Sequence, residues 1–325
     1  MRLYFKALSD GWKLTSKHTW LWFFGLFALF IVGNGGEFDL YFKNVGRLSG
    51  NNSIFSAAFW QQGEWVEIIN RLQSLWTENW IMTLFMAGIF VAALLFVLYF
   101  VVISQIALIY AANQGQKSSL SFHQCIVAGN KFFWRALIIN IISKLIVIAV
   151  LLIIAIPLFF LLSSGTYEAT YSILASILLI PAVIIVSFLN KYAINYAVID
   201  NEKIFPAIKK AFKLFGQNWL VSLEMALIIF ILSLLLGLFI LAATAIVLAP
   251  FLASSISTAS AYADPLANIL TVLMLAALVL IVGMVLAASI FSAWQLTSWT
   301  YLFKELTAGP KEGKLIRVLN GKRGI

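Results

Sequence analysis

Polar side chains that could do chemistry are few in this chain, and they recur inside long apolar stretches. They are Ser104 and Gln105; Asn140 and Lys144; Asn190, Lys191 and Asn195; Ser222 and Glu224; and Ser292, Gln295, Thr297 and Ser298. Ionised groups inside a bilayer are costly and face a partner or water, which singles out Lys144 and Glu224. Two readings of the set are open. In one, Gln105, Asn140, Lys144, Asn190, Lys191, Glu224 and Gln295 line a polar cavity in the cytoplasmic half of a helix bundle, where Lys144 and Glu224 approach each other or share the cavity. In the other, Lys144 reaches to the nearer headgroups and Glu224 pairs with a neighbouring lysine, since both lie only a few turns from the interface.

Catalytic patterns are missing from the sequence. There is no HExxH, no GxSxG, no glycine-rich phosphate loop and no pair of carboxylates at helical spacing in an apolar run, so the reading is of a non-enzyme without cofactor. His18 and His123 have no Cys, His or carboxylate nearby at ligand spacing and read as surface or capping residues, not metal ligands. The single cysteine, Cys125, cannot form an intramolecular disulfide and reads as a small apolar packing residue.

The elements that carry these residues follow from composition. Hydrophobic residues make up 62% of the 325 and charged residues 11%, against roughly a quarter charged in soluble domains. That excludes a soluble protein. A net charge of +9 could suggest nucleic acid, but the basic residues sit in short connections between apolar runs, where membrane orientation explains them. Six segments approach the length of about 20 apolar residues that a span needs: Thr19 to Gly33, which Trp12 to Lys17 could extend, then Trp80 to Gln105, Ile142 to Leu162, Ile173 to Leu189, Trp219 to Leu248 and Leu270 to Trp294. The second and sixth are expected to continue as helix to Asn113 and Glu305. Lysine and arginine crowd one set of connections, with only Lys43, Arg47 and Arg71 on the other side. The positive-inside rule then predicts a multi-pass inner-membrane protein with both termini in the cytoplasm. A secretory signal peptide ending near Gly33-Asn34-Gly35-Gly36 competes with the first span, but its leading stretch resembles two internal linkers, which a cleavable signal has no reason to do.

Those linkers disclose a repeat. A short basic amphipathic stretch runs into an apolar run from Leu3, from Ser121 and from Ile204, the pattern of a helix that lies on the membrane surface and then turns into it. The second and third copies align at a constant offset, with Gln105 on Lys191, Tyr110 on Tyr196, Cys125 on Ala211 and Phe133 on Trp219. The first fits another register, with Ala7, Trp12, Lys13 and Leu14 on Ala207, Phe212, Lys213 and Leu214. The expected fold is all-α: a single membrane domain over residues 1–325, with six spans in three hairpins and interfacial helices before the first, third and fifth spans. Its units are 1–113 with a long outer loop 34–79, 114–200, and 201–306, followed by a basic cytoplasmic tail 307–325.

Smaller features complete the sequence reading. Within the outer loop, Trp65, Ile69, Leu72 and Trp76 recur at helical spacing and predict an amphipathic helix that is an interfacial anchor or a lid. Asn51-Asn52-Ser53 matches a glycosylation sequon. Ala249 to Ala267 reads as a flexible outer loop. Pro157 and Pro181 should bend adjacent spans. Gly88 with Ala92 and Gly283 with Ala287 read as helix-packing seams. In the third linker, Ala207, Ile208, Ala211, Phe212 and Phe215 form an apolar stripe opposite Lys209, Lys210 and Lys213, which are the expected contacts to anionic inner-leaflet lipid.

The stretch NYAVIDNEKIFPAIKKAFKLFGQNWLVSL, from Asn195 to Leu223, resembles the signature of a bacterial and archaeal superfamily of six-span proteins. That superfamily includes the membrane domain attached to some glycerophosphoryl diester phosphodiesterases and several uncharacterised inner-membrane families. The matching elements are Tyr196 and Ala197 ending a span, the exit Val198-Ile199-Asp200, the surface helix Ala207 to Phe212, and re-entry at Asn218-Trp219. The chain differs from the fused members in having no soluble phosphodiesterase domain, so the resemblance implies the membrane architecture and not the phosphodiesterase chemistry. The expected function is a lipid-associated or partner-organising membrane module, with a membrane or cytoplasmic protein as a possible partner and no nucleic acid. The alternative is a small transporter that uses the polar cavity.

Overall fold

Backbone amides in hydrocarbon have no water to bond, so an apolar chain satisfies them within helices. The computed structural model describes residues 2–30, 64–115, 120–162, 168–258 and 265–309. Among these the chain forms helices α1 (Arg2–Lys17), α2 (Leu21–Ala28), α3 (Glu64–Gln114), α4 (Phe122–Leu162), α5 (Glu168–Ile199), α6 (Ile204–Thr258) and α7 (Pro265–Thr307), and no strand. Among the described residues, five stretches are long and apolar enough to cross a membrane: Trp80–Gln114, Phe122–Ile153, Pro181–Ile199, Ile204–Ile246 and Ala277–Thr307. The protein is a helical membrane protein. Of the first expected span, Leu21–Ala28 is helix, residues 19–20 and 29–30 are turn, and residues 31–33 lie outside the described residues, as do the sequon and the basic tail beyond residue 309.

The helices are longer than the spans they contain. α6 has 55 residues and α3 has 51, lengths of about 83 and 77 Å against a hydrocarbon core of about 30 Å. The helix expected over residues 65–76 is present, and one expected loop is helix as well. Residues 65–76 are continuous with the span that follows them in α3, and residues 249–258, read from the sequence as loop, extend α6. Adding a residue to an existing helix costs far less than starting one, and the alanines there favour it. α3 and α7 reach Gln114 and Thr307, close to the ends expected. Helix is assigned on both sides of Pro181. The interior departure from helical geometry falls at Asn218 in α6 (φ −131°, ψ 27°).

The chain divides into two compact units. The first gathers Met1–Leu29, Ala107–Cys125 and Lys213–Ile325; the second gathers Phe30–Ile106 and Ile126–Phe212. In the first, α1 and α2 both pack on α7. Trp12 meets Trp294 edge-on at 6.4 Å, the Trp294 indole donates to the Leu8 carbonyl at 2.9 Å, and Lys6 pairs with Glu305 at 2.7 Å. Further along, the Ser289 hydroxyl donates to the Trp22 carbonyl. Trp12 to Lys17 does not extend the first span as one rod, because the chain turns at residues 18–20 between α1 and α2. The contacts supply a reason. Gly11 lies against Ser298 and Gly25 against Ser289, so 14 residues on one side answer 9 on the other, and a straight helix would overshoot by about 7 Å. The Lys304 ammonium also donates to the Asn113 carbonyl at 3.1 Å, closing the end of α3.

In the second unit, Gly129 of α4 lies against Ile103 of α3, and the Tyr99 hydroxyl donates to Asn130 at 2.7 Å. Arg135 holds the turn between α5 and α6, donating to the Asn201 carbonyl (3.0 Å), the Asn201 side chain (2.7 Å) and the Glu202 carbonyl (3.4 Å). Asn201 sits at φ 55°, a left-handed conformation that asparagine tolerates well.

The seams expected at Gly88 and Gly283 are not where helices touch, for a Cβ there meets nothing within 4 Å among the described residues. Tight crossings fall instead at Gly11 and Gly25, where an added Cβ would lie 2.4 Å from the Ser298 hydroxyl and 2.1 Å from the Ser289 carbonyl oxygen. A hydroxyl can rotate away; a helix carbonyl cannot. Equilibrium unfolding in mixed micelles should show Gly25→Ala destabilised by about 1–3 kcal/mol and Gly11→Ala less affected, whereas Gly88→Ala and Gly283→Ala should gain about 0.5–1 kcal/mol from helix propensity.

Candidate functional site

Three of the polar residues singled out in the sequence lie in one hydrogen-bonded chain in the second unit. Asn140 and Ser143 of α4 stand three residues apart on one helix face, with Gln105 on α3 and Asn190 on α5. The Ser143 hydroxyl donates to the Asn190 side-chain oxygen (3.0 Å), the Asn190 amide to the Asn140 oxygen (2.9 Å), and the Asn140 amide to the Gln105 oxygen (2.9 Å). The relay therefore joins three helices and runs in one direction, from hydroxyl to Gln105. Gln105 is buried, while Asn140, Ser143 and Asn190 are partly buried. Sequence reasoning missed Ser143, although its spacing from Asn140 was the available signal.

The two lysines beside the relay behave differently. Lys144 is exposed, consistent with a side chain that runs along the apolar surface toward polar surroundings. Lys191, directly after Asn190, is partly buried, and its ammonium lies 5.8 Å from the ring centroid of buried Phe188. It folds back one turn toward the middle of its span, the direction in which a helix aims its side chains.

Glu224 and Gln295 belong to the first unit and Lys144 to the second. The Glu224 carboxylate accepts a hydrogen bond from Tyr4 of α1. No sequence signal pointed to Tyr4, which is 220 residues away. Gln295 is buried on α7 with Ser292 and Ser298, and the Gln295 side-chain oxygen and both serine hydroxyls have no hydrogen-bond partner among the described residues. Thr297 and Thr300 bond back to their own helix at 2.9 and 3.1 Å. At the kink, the Asn218 amide donates to the Leu214 carbonyl (3.1 Å).

The surface segment of α6 has three faces where the sequence suggested two. Ala207, Ala211 and Leu214 are buried, Phe205 and Phe212 are exposed, and Lys209, Lys210 and Lys213 are exposed on a third side. Lys210 is paired with Glu202 and lies 5.8 Å from the Tyr196 ring centroid, whereas Lys209 and Lys213 have no ion-pair partner among the described residues. Burial raises the Asp200 carboxyl above its usual range, partly offset by Lys210. Burial likewise lowers the His18 imidazole, helped by Lys17, while the bond to Glu305 raises the Lys6 ammonium. His123 is exposed, Cys125 is buried, and no group of three metal-ligating side chains occurs among the described residues.

No protein-family model, curated protein or solved structure matches the chain.

Hydrogen bonds between membrane helices couple by about 0.6 kcal/mol on average and up to about 1.7. A double-mutant cycle of Asn140→Leu and Asn190→Leu, read by unfolding in mixed micelles, should return a coupling inside that range. Asn140→Leu paired with Gln295→Leu, in the other unit, should be additive.

Proposed function

We propose that the protein is a lipid-associated module of the inner membrane that lays α1 and the first part of α6 on an anionic surface. One observation carries the reading. In the register that pairs Ala7 with Ala207 and Leu14 with Leu214, the two helices match face by face. Ala7, Leu14, Ala207 and Leu214 are 6% exposed or less, whereas Phe5 and Phe205 are 75% and 79% exposed and Trp12 and Phe212 are 53% and 55% exposed. Lys13 and Lys213 coincide on the third side, both exposed. His18, at the turn after α1, coincides with Asn218, at the kink of α6. Aromatic rings beside lysines suit the headgroup boundary, where the ring is half in hydrocarbon and the ammonium in water. Two elements built alike, each bending at the same position before an apolar run, support a repeated plan of surface helix and span.

On this reading the chain has six spans in three hairpins, both termini are cytoplasmic, and the resemblance to the phosphodiesterase-type membrane domain reflects shared architecture without shared chemistry. A second reading, a small permease, is favoured by the amide relay, since polar side chains joined across helices also line solute paths.

Purified protein should enrich anionic lipid in its annulus, read by mass spectrometry of the copurified lipid. Replacing Lys13, Lys209 and Lys213 together by glutamine should weaken that enrichment, and Lys210→Gln should change it less because Glu202 already neutralises that charge. Equal enrichment in all variants would confine the lysines to setting topology.

A further inference from the structure

The second of the three basic stretches, at the start of α4, carries its cations differently from α1 and α6. Lys131 and Arg135 stand one turn apart on the helix and lie beside the same buried ring, the Lys131 ammonium 5.2 Å and the Arg135 guanidinium carbon 5.7 Å from the centroid of Phe132. Arg135 is also held in place. Its three bonds to the turn between α5 and α6 all leave from Nη1 and end on neutral oxygens, the Asn201 and Glu202 carbonyls and the Asn201 side-chain amide. The Nε and Nη2 edge takes no part in them. A guanidinium fixed through one nitrogen presents its remaining edge in a set direction, where it can grip two oxygens on one centre.

No carboxylate on α4 competes for these charges, since the sequence contains no Asp or Glu from Trp80 to Tyr167. The Glu202 carboxylate, on the turn that Arg135 holds, is paired with Lys210. Neither Lys131 nor Arg135 has an ion-pair partner among the described residues. Two such cations at the head of an apolar run select an anion.

The face that continues from them selects the kind of anion. Trp134, which is 70% exposed, and the exposed Ile138, Ile141 and Leu145 follow Lys131 at steps of three and four, so they extend one face of α4. That face lies within Phe122–Ile153, long and apolar enough to cross a membrane. From Trp134 to Leu145 it runs about 17 Å, close to the depth of one leaflet. A charged head over an apolar track of that length matches a phospholipid, whereas free phosphate would leave the track unused.

We propose that Lys131 and Arg135 hold the phosphate of one anionic phospholipid, whose acyl chain lies along Trp134, Ile138, Ile141 and Leu145. The site is discrete and does not rest on the lysines of α1 and α6, which attract anionic lipid without fixing it.

The test titrates the full chain in neutral detergent with phosphatidylglycerol or phosphatidylcholine of the same acyl chains, and native mass spectrometry reads the first lipid bound. Phosphatidylglycerol should bind about tenfold or more tightly than phosphatidylcholine, and Lys131→Gln should remove most of that preference. Arg135→Lys keeps the charge but loses the planar fork, and should weaken phosphatidylglycerol binding about fivefold or more. Lys131 is exposed and holds no turn, so its variant carries the test if Arg135→Lys disturbs folding. Inorganic phosphate, at constant ionic strength set with chloride, should not displace the lipid; displacement would assign the cations to a soluble anion and overturn the lipid reading. The glutamine variant at Lys13, Lys209 and Lys213 should keep the preference, so that failure of the surface-helix reading leaves this site standing, and loss of the preference there would overturn the claim of a discrete site. Equal affinity for the two lipids would also overturn the proposal, as would phosphatidylglycerol binding within about threefold of wild type in folded Lys131→Gln and Arg135→Lys proteins.

Discussion

Everything in this molecule depends on the cost of an unbonded polar group in hydrocarbon. Backbone amides escape it by staying helical, which is why helices here run past the thickness of a bilayer and why one expected loop is helix too. Departures from helix occur at residues 18–20 and at Asn218. The first lets α1 and α2 both seat on α7, through glycines that bring backbones nearly into contact. Dispersion and close approach hold such a crossing together, since lipid offers no hydrophobic drive between helices.

Polar side chains follow the same rule, with different outcomes in the two units. In the second, Ser143, Asn190, Asn140 and Gln105 bond one another across three helices. In the first, the Gln295 and Asn218 side-chain oxygens have no hydrogen-bond partner among the described residues, and the carboxylate Glu224 is engaged by Tyr4. A chain whose spans were merely anchors would have little reason to keep such groups inside them.

Much of this was legible in the sequence, and the limits have physical causes. Apolar runs announced a helical membrane protein because a bilayer tolerates little else. Gln105, Asn140 and Asn190 could be picked out as polar residues in apolar context, but their joining could not, because relative rotation of helices decides it and a linear pattern does not record rotation. For the same cause Phe212 was grouped with Ala207 and Ala211, although it faces outward and they face inward. Tyr4 with Glu224 and Gly25 with Ser289 are contacts between distant parts of the chain, beyond any local signal. Gly88 and Gly283 carried a packing signature without a partner among the described residues, since small residues permit close approach without requiring it.

The central claim is that the matched aromatic faces of α1 and α6 lie at the headgroup boundary. Spin labels placed singly at positions 5, 12, 205 and 212 in reconstituted protein, with depth read from relative collision with oxygen and a water-soluble nickel chelate, test it most directly. The account expects all four labels at one shallow depth near the phosphates, with labels at positions 13 and 213 in water. Labels at 205 and 212 as accessible to the nickel chelate as those at 13 and 213 would contradict it.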